Sequence, residues 1–506
     1  MSRTPVAADQ AVRSTSVAPL PSDPATARLS DVLADVEAIE VRGDAGVPVT
    51  SLCYRSDETS AGSLFFCVPG EQRDGHEFAA SAVIRGATSL VLERWLPLNA
   101  VQVCVPSVRA SMGPVSAAFH GHPAERMTLV GVTGTNGKTT TTYLLEAVFR
   151  HAGRIPGVVG TTGVRIDGRS EPFPRTTPEA PDLQRLLAQM VDEGVDATAM
   201  EVSSHGLHQH RVGGMRFDVA VFTNLTQDHL DYHASMGEYF EAKARLFAPE
   251  VSEVAVVNND SEHGRRIAGR IPTILYGMGE GAEVRATEIE TTQRGVSFRV
   301  GDVQVRSPLR GAFNVENCLA ALATARAMNI DLGVAAAAIG TVRGVPGRVE
   351  PVEAGQEFLV LVDYAHSPDS LENVLRAARP LATGRLMVVF GCGGDRDRAK
   401  RPLMGGVATS NADLAVITSD NPRSEDPAEI IAEIEPGAAA GGGAYVVEPD
   451  RRSAIRLAMS EARTGDVVVI AGKGHETYQE LADRTIAFDD RHVAAEEIRA
   501  LSTGSA

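Results

Sequence analysis

The sequence predicts an α/β protein built on mainly parallel sheets, and three observations carry that reading. From about residue 127 onward, short apolar strand-like runs alternate with helix-like stretches, among them 129–132, 197–202, 219–223 and 254–258, which is the pattern of βαβ units. A glycine-rich loop joins an apolar run to a helix-like run at 131–140. After residue 347, four apolar strands each run directly into polar residues. The carboxyl ends of parallel strands are where open α/β sheets hold ligands.

In chain order, residues 1–27 are rich in Ala, Pro, Ser and Thr and read as a disordered tail. Residues 28–126 read as a first domain, with strand-like runs at 63–68 and 89–92. Residues 127–346 read as a second domain and 347–506 as a third. The length of 506 residues favours this division, because single cores stop growing well below that size. In the third domain, 358–362 leads to Asp363-Tyr364-Ala365-His366, and 386–390 leads to a glycine-rich turn ending in Asp395-Arg396. The run 414–417 leads to Asp420-Asn421-Pro422-Arg423, and 467–470 leads to Gly472-Lys473-Gly474-His475-Glu476.

Composition narrows the function classes. Hydrophobic residues at 43% and charged residues at 22% are those of a soluble globular protein. A net charge of −17 and a pI near 5.3 argue against a nucleic-acid binder or a membrane-surface protein, both of which need basic patches. A local basic pocket for an anionic substrate remains compatible with that balance. The five cysteines, Cys53, Cys67, Cys104, Cys318 and Cys392, are scattered and form no CxxC pair. They predict neither a disulfide framework nor a zinc knuckle, and a cytoplasmic location is expected. No run approaches the ~18 apolar residues of a membrane span, and the N-terminus lacks the apolar core of a signal peptide.

The glycine loop reads as a phosphate cradle. Gly134-Thr135-Asn136-Gly137-Lys138-Thr139-Thr140 follows a strand and opens a helix. Glycines let backbone N–H groups turn toward phosphate oxygens, Lys138 supplies a point charge, and Thr139 can hold Mg²⁺. The usual P-loop places a glycine where this chain has Val132, so the nearest fit is the tighter Gly-x-x-Gly-Lys-Thr-Thr. Glu201 ends an apolar strand, where an acid costs desolvation unless it is paired or metal-bound, and it is the expected Mg²⁺ partner of Thr139. Ser203, Gln209 and Arg211 follow as substrate-holding candidates, Arg211 suiting a phosphate or carboxylate.

A His/Asp-rich stretch comes next, with His205, His208 and His210 followed by 223–233. A zinc hydrolase is one reading, but HExxH is absent and no cysteine joins the cluster. A second Mg²⁺ site with His229 as the strongest ligand, or helix capping by Asp228, fits a phosphate loop better. Residues 239–247 read as an amphipathic helix whose spacing leaves Lys243 on either face, and without further information a surface lysine is the expectation.

Together these motifs resemble the Mur ligase family, and within it the members that add diaminopimelate. The resemblance rests on GTNGKTT at 134–140, EVSSHG at 201–206, TNLTQDHLDYH at 223–233 and GAFNVEN at 311–317. It continues through DYAHSPD at 363–369, GCGGDRD at 391–397 and DNPR at 420–423. It implies a uridyl-binding domain, a central ATPase and a C-terminal Rossmann-like domain. The implied reaction is ATP-dependent ligation of meso-diaminopimelate to UDP-N-acetylmuramoyl-L-alanyl-D-glutamate through an acyl phosphate. Lysine addition and a folylpolyglutamate synthetase-like ligation are the alternatives within the superfamily, and a non-catalytic ATP-binding module is the alternative outside it. ATP is then a substrate and Mg²⁺ the cofactor. The partners are small molecules, with no nucleic acid and no integral membrane segment, and a monomer is expected.

The resemblance also implies residue roles. Lys138, Glu201, His229 and Lys243 would be catalytic, with Thr139, Glu201, His229 and a carbamylated Lys243 around the metal. Asn314, Arg348 and Asp363 would join the loop in binding ATP, with His366 beside them. Tyr54, Ser56, Glu71, Gln72, Arg73, Thr176 and Thr177 would contact the nucleotide sugar substrate with Ser203, Gln209 and Arg211. The family's usual Asp-Ser-Arg reads Arg55-Ser56-Asp57 here, and Arg175 stands where many relatives carry an amide. Arg396, Asp420, Asn421, Pro422, Arg423, Gly472 and Glu476 would form the diaminopimelate pocket. Arg423 would clamp a carboxylate and Glu476 receive an ammonium.

Overall fold

A computed structural model describes residues 26–70, 73–230, 232–292 and 294–504, in two compact units, Met1–Gly121 and His122–Ala506. Glu71, Gln72 and the expected tail up to residue 25 lie outside the described residues. The tail does not extend to residue 27. Ala27–Arg28 is already a strand, paired antiparallel with Pro48–Val49. Among the described residues no helix is long and apolar enough to cross a membrane.

The first unit is built on a five-stranded sheet in the order Glu40–Arg42, Val101–Cys104, Ser89–Leu92, Ser63–Phe66, Ser51–Cys53. Only the first pair is antiparallel. Every residue of Ser63–Phe66, Ser89–Leu92 and Val101–Cys104 is buried, as expected of parallel strands covered on both faces. Helix Val108–Phe119 is capped by Ser107, whose side chain accepts from the Ala110 N–H.

The second unit holds two large sheets. The first has nine strands, and the seven from Pro156–Gly160 through Val284–Arg285 are parallel, with Thr128–Thr133 near the centre. Helix Lys138–His151 leaves the glycine loop and packs back with Leu144, Leu145, Val148 and Phe149, all fully buried. Their i, i+4 spacing makes one apolar stripe, and burying each stabilises the unit by about 1.5–3 kcal/mol. Helices Phe313–Ala327 and Leu332–Ile339 complete this core.

The second large sheet runs Glu350–Pro351, Leu359–Asp363, Val467–Ala471, Leu386–Phe390, Leu414–Ile417, Ala444–Val447. Its pairings are parallel apart from the first. The alternation of strand side chains divides its apolar runs between two cores. Leu361, Val388, Phe390, Ile417 and Val469 face one; Val360, Val362, Val389, Val416 and Ile470 face the other. Asp363 pairs with Ala471, Val389 with Ile470, and Phe390 with Ile417. The four polar clusters read from the sequence therefore leave the same edge of one sheet.

Candidate active site

The loop after Thr128–Thr133 turns at Gly134, with φ 148°, and enters its helix through Gly137, with φ 87°. Both conformations favour glycine. No side chain caps this helix, so its first N–H groups keep the capacity to bind an anion. Lys138 Nζ donates to the carbonyls of Gly134 at 2.9 Å and Thr135 at 2.8 Å. Burial pushes its pKa down, with the Glu201 charge opposing.

Lys243 is not a surface residue. It is 1% exposed, and its Nζ donates to the same Gly134 carbonyl at 2.8 Å and lies 4.4 Å from the Tyr239 ring centre. The helix carrying it spans Met236–Ala244, followed by a 3₁₀ turn at Arg245–Phe247. Amphipathic spacing gives two candidate inward faces, and packing of Tyr239 and Phe240 selects the one that buries Lys243. Burial, reinforced by the charge of Lys138, holds the amine well below its ordinary range. A neutral amine is the form that can add CO₂. Asp228 caps no helix; Ser235 does, accepting from Glu238 N–H at 3.2 Å.

Glu201 is 1% exposed at the end of Ala197–Glu201. Its two oxygens accept from the Thr161 N–H and Oγ1, each at 2.9 Å. Thr161 also meets Thr176 Oγ1 at 3.1 Å. Thr177, Ser203, Gln209 and Arg211 form one network beside it. Thr177 Oγ1 donates to the Glu201 carbonyl and accepts from Ser203 N–H, both at 3.0 Å. Arg211 donates to the Thr177 carbonyl at 3.0 Å, to Gln209 Oε1 at 2.6 Å, and pairs with Glu179 at 3.2 Å. Ser203 also caps the short helix Ser204–His208.

His229 has φ 54°, and its ring lies 5.0 Å from that of His205. Burial pushes its pKa down; Asp228 at 3.5 Å opposes this, while His205, Lys243 and Lys138 add to it. The lowered pKa favours the neutral imidazole, which keeps a lone pair for a ligand. Among the described residues no group of three or more His, Cys, Asp or Glu is placed to hold a metal ion.

Two side chains from segments flanking the second sheet reach the loop. Arg348 donates to Thr139 Oγ1 at 3.2 Å, with its guanidinium 4.9 Å from the Tyr364 ring centre. Asp369 Oδ2 accepts from Asn136 Nδ2 at 2.9 Å and Thr226 Oγ1 at 2.8 Å. Asp363, buried, accepts from the Val349 N–H at 2.8 Å. His366 contacts the Tyr364 carbonyl at 2.8 Å. Asn314 is buried and accepts from Asn317 at 2.9 Å.

At the strand ends of that sheet, Glu476 Oε2 accepts from Asn421 Nδ2 at 2.9 Å and Lys473 Nζ at 3.0 Å. Both donors fall on Oε2, so Oε1 keeps acceptor capacity. Burial pushes the Glu476 carboxyl up, with Lys473 opposing. Asp420 is buried, and a side chain at Gly472 would press on its carboxylate. Arg423 Nε meets Glu480 Oε2 at 2.9 Å. Arg396 is exposed on the neighbouring loop. Beneath them Arg451, fully buried, donates to the Ser419 carbonyl at 3.2 Å and the Ala471 carbonyl at 3.0 Å. Its ion-pair partner is the equally buried Asp490, at 2.7 Å.

Comparison with known proteins fits this geometry. The Mur ligase middle domain matches residues 132–325, and the Mur ligase glutamate ligase domain matches residues 347–474. The chain belongs to the Mur ligase family. Among Mur ligases it is 49% identical over 486 residues to the UDP-N-acetylmuramoyl-L-alanyl-D-glutamate–2,6-diaminopimelate ligase of Geobacillus thermodenitrificans, covering 93% of this chain and 99% of that relative. The ligase of the same name from Geobacter metallireducens is 43% identical, covering 94% and 99%. A solved structure of a ligase with that name has 33% identity and a TM-score of 0.67, covering 94% and 99%. Mycobacterium tuberculosis folylpolyglutamate synthase complexed with ADP and AMPPCP shares the fold, with a TM-score of 0.60 at 19% identity over 78% of this chain and 94% of that one.

In this Mur ligase the structure thus gathers Lys138, Thr139, Lys243 and Arg348 around one loop, and Asn421, Arg423, Gly472 and Glu476 along one sheet edge. Tyr54, Ser56 and Arg73 lie in the first unit. Ser56 opens a 3₁₀ turn, and Arg55 pairs with Asp57 at 2.9 Å and Glu58 at 3.2 Å. Thr161, Asp369, Lys473 and Glu480 join these networks, although the sequence alone did not single them out. Asp369 and Lys473 sit inside recognisable motifs, DYAHSPD and GKGHE. Thr161 and Glu480 carry no sequence signal beyond their neighbourhood.

Proposed function

We propose that this Mur ligase joins meso-diaminopimelate to UDP-N-acetylmuramoyl-L-alanyl-D-glutamate by ATP-dependent amide-bond formation, in peptidoglycan precursor synthesis. The observation that carries the reading is the pairing of a phosphate loop with a strand-end pocket holding both an arginine, Arg423, and a carboxylate, Glu476. Such a pocket matches an amino acid whose far end bears a carboxylate and an ammonium, and the similar ligases named for 2,6-diaminopimelate support it. Residues 28–126 would hold the uridyl group, 127–346 ATP and 347–506 the amino acid. Substrates of this kind, ATP and a nucleotide-activated precursor, fit a cytoplasmic enzyme.

In the reaction the D-glutamyl carboxylate attacks the γ-phosphoryl group of ATP and becomes an acyl phosphate. The incoming amine then displaces phosphate through a tetrahedral intermediate. Lys138 and the N–H groups of the loop bind the phosphates and offset the charge spread over them in transfer. Arg348 bonds Thr139 of the same loop and would help close the site against water when substrates bind. Arg211, with Thr177, Ser203 and Gln209, would bind the acceptor substrate.

The donor chemistry fits Mg²⁺, which prefers oxygen ligands. Thr139 and Glu201 would hold it, with His229 and a carbamate on Lys243. Bound there, Mg²⁺ would supply charge that neutralises the phosphates. As an ammonium, Lys243 would repel it; the buried amine's lowered pKa favours the reactive neutral form.

Phosphate release from ATP tests the reading directly. Release should require the UDP-muramoyl dipeptide and rise on adding meso-diaminopimelate. Equal release with lysine would overturn the amino-acid assignment. No release with the muramoyl dipeptide, but release with a folyl acceptor, would favour the folylpolyglutamate-like alternative.

A further inference from the structure

Under the proposed function Arg423 takes the far carboxylate of the amino acid, and the role inferred for its neighbour Glu480 rests on that reading. In the structure Arg423 already faces a carboxylate. Its Nε donates to Glu480 Oε2 at 2.9 Å, and its Nη1 donates to the Gly394 carbonyl at 2.8 Å. Two of the five guanidinium N–H groups are thereby engaged, and the remaining ones, including both on Nη2, can still fork onto a second carboxylate.

The pair is built in from the backbone upward. The Arg423 N–H donates to the Glu480 carbonyl at 3.1 Å, and the Glu480 N–H donates to Asn421 Oδ1 at 3.0 Å. Glu480 ends a strand, Tyr478–Glu480, paired antiparallel with Thr485–Ala487. Arg423 itself holds φ 52°, a left-handed conformation unusual for arginine. A side chain at Gly393 would crowd Nη1. Three separate segments thus fix the arginine against this glutamate.

We infer that Glu480 is a specificity-determining residue: a resident counter-charge that competes with the substrate's far carboxylate for Arg423 and softens the rejection of amino acids lacking one. Diaminopimelate must share Arg423 with Glu480 or displace it. Lysine, bringing no far carboxylate, leaves Arg423 paired with Glu480 instead of uncompensated. Removing the glutamate charge would therefore strengthen binding of the first and weaken that of the second. Glu480 is 40% and Arg423 25% exposed, so water screens the competition and keeps the effect moderate.

Steady-state kinetics with both amino acids on E480Q test this, since glutamine keeps an acceptor for Nε but loses the charge. The KM for meso-diaminopimelate should fall by about two- to tenfold. The KM for ATP should stay as in wild type, and the ratio of kcat/KM for diaminopimelate over lysine should rise. E480D, which keeps the charge, should retain the wild-type ratio, and E480Q should change nothing in an R423A background. An unchanged or raised KM for diaminopimelate in E480Q, or a lowered ratio, overturns the inference. Undiminished use of diaminopimelate by R423A alone would instead overturn the assignment of Arg423 as the clamp.

Discussion

Lys138 and Lys243 bring two amines to the carbonyl oxygen of Gly134. Two like charges sharing one carbonyl repel, so the charge of Lys138 depresses the tendency of Lys243 to be protonated, on top of burial. In the proposed function, arrival of phosphate would relieve this on Lys138, and carbamylation would relieve it on Lys243. Lys138→Ala should cut turnover at least about 100-fold by removing charge stabilisation at the phosphates, without lowering Tm. Near-normal turnover in the folded variant would sink the phosphate-cradle assignment. Lys243→Ala should be inactive and regain part of its rate when a short carboxylate such as acetate or formate is supplied. Activity of this variant at wild-type level without any added acid would argue that no anionic group is needed there.

At the scale of elements, the glycine loop and the alternating strands were readable because their signals are local. A strand, two glycines at positive φ and a helix start lie within about a dozen residues. The four strand-end clusters were readable for the same reason, and the parallel pairing brought them to one edge. The inward face of helix Met236–Ala244 was not, because amphipathic spacing ranks two faces and only tertiary packing chooses between them. Thr161 on Glu201 and Asp369 on Asn136 were not readable either, since each contact spans a long stretch of chain that no local pattern encodes. The helix carrying Lys243 depends on Ser235 as its cap. Ser235→Ala should cost about 1 kcal/mol of stability, measured as a shifted urea midpoint. A variant as stable as wild type would mean that the cap contributes nothing to holding that helix.

At the scale of the whole molecule, buried arginines tie elements together and set the response to acid. Arg401 is fully buried and donates to Glu425 at 2.8 and 2.9 Å and to Glu433 at 2.8 Å. It joins helix Lys400–Asn411 to helix Pro427–Gly441 and to the loop before it. Hydrogen bonds from Arg401 hold the Glu425 carboxyl down at about 2. Its folded pKa lies below the unfolded value of about 4.3, so its contribution is complete above that value and is lost as pH falls toward 2. Tm should therefore drop across that window, and E425Q should flatten part of the drop. Parallel Tm–pH curves for the two proteins would rule out this pair as a source of acid sensitivity.

Arg451 has a consequence for how the pocket comes into being. It pins the ends of Leu414–Ile417 and Val467–Ala471 through Ser419 and Ala471, and its ion-pair partner is Asp490 at the start of helix Asp490–Gly504. During synthesis the chain emerges N-terminus first, so both strands and the arginine appear before that aspartate. Until Asp490 docks, the guanidinium lacks the charge that sits against it and is costly to bury. The proposed amino-acid pocket would therefore be among the last parts of the molecule to assemble, after the glycine loop whose residues are made hundreds of positions earlier. A ribosome-bound chain would acquire a nucleotide-ready half before it acquires the half that chooses what to attach.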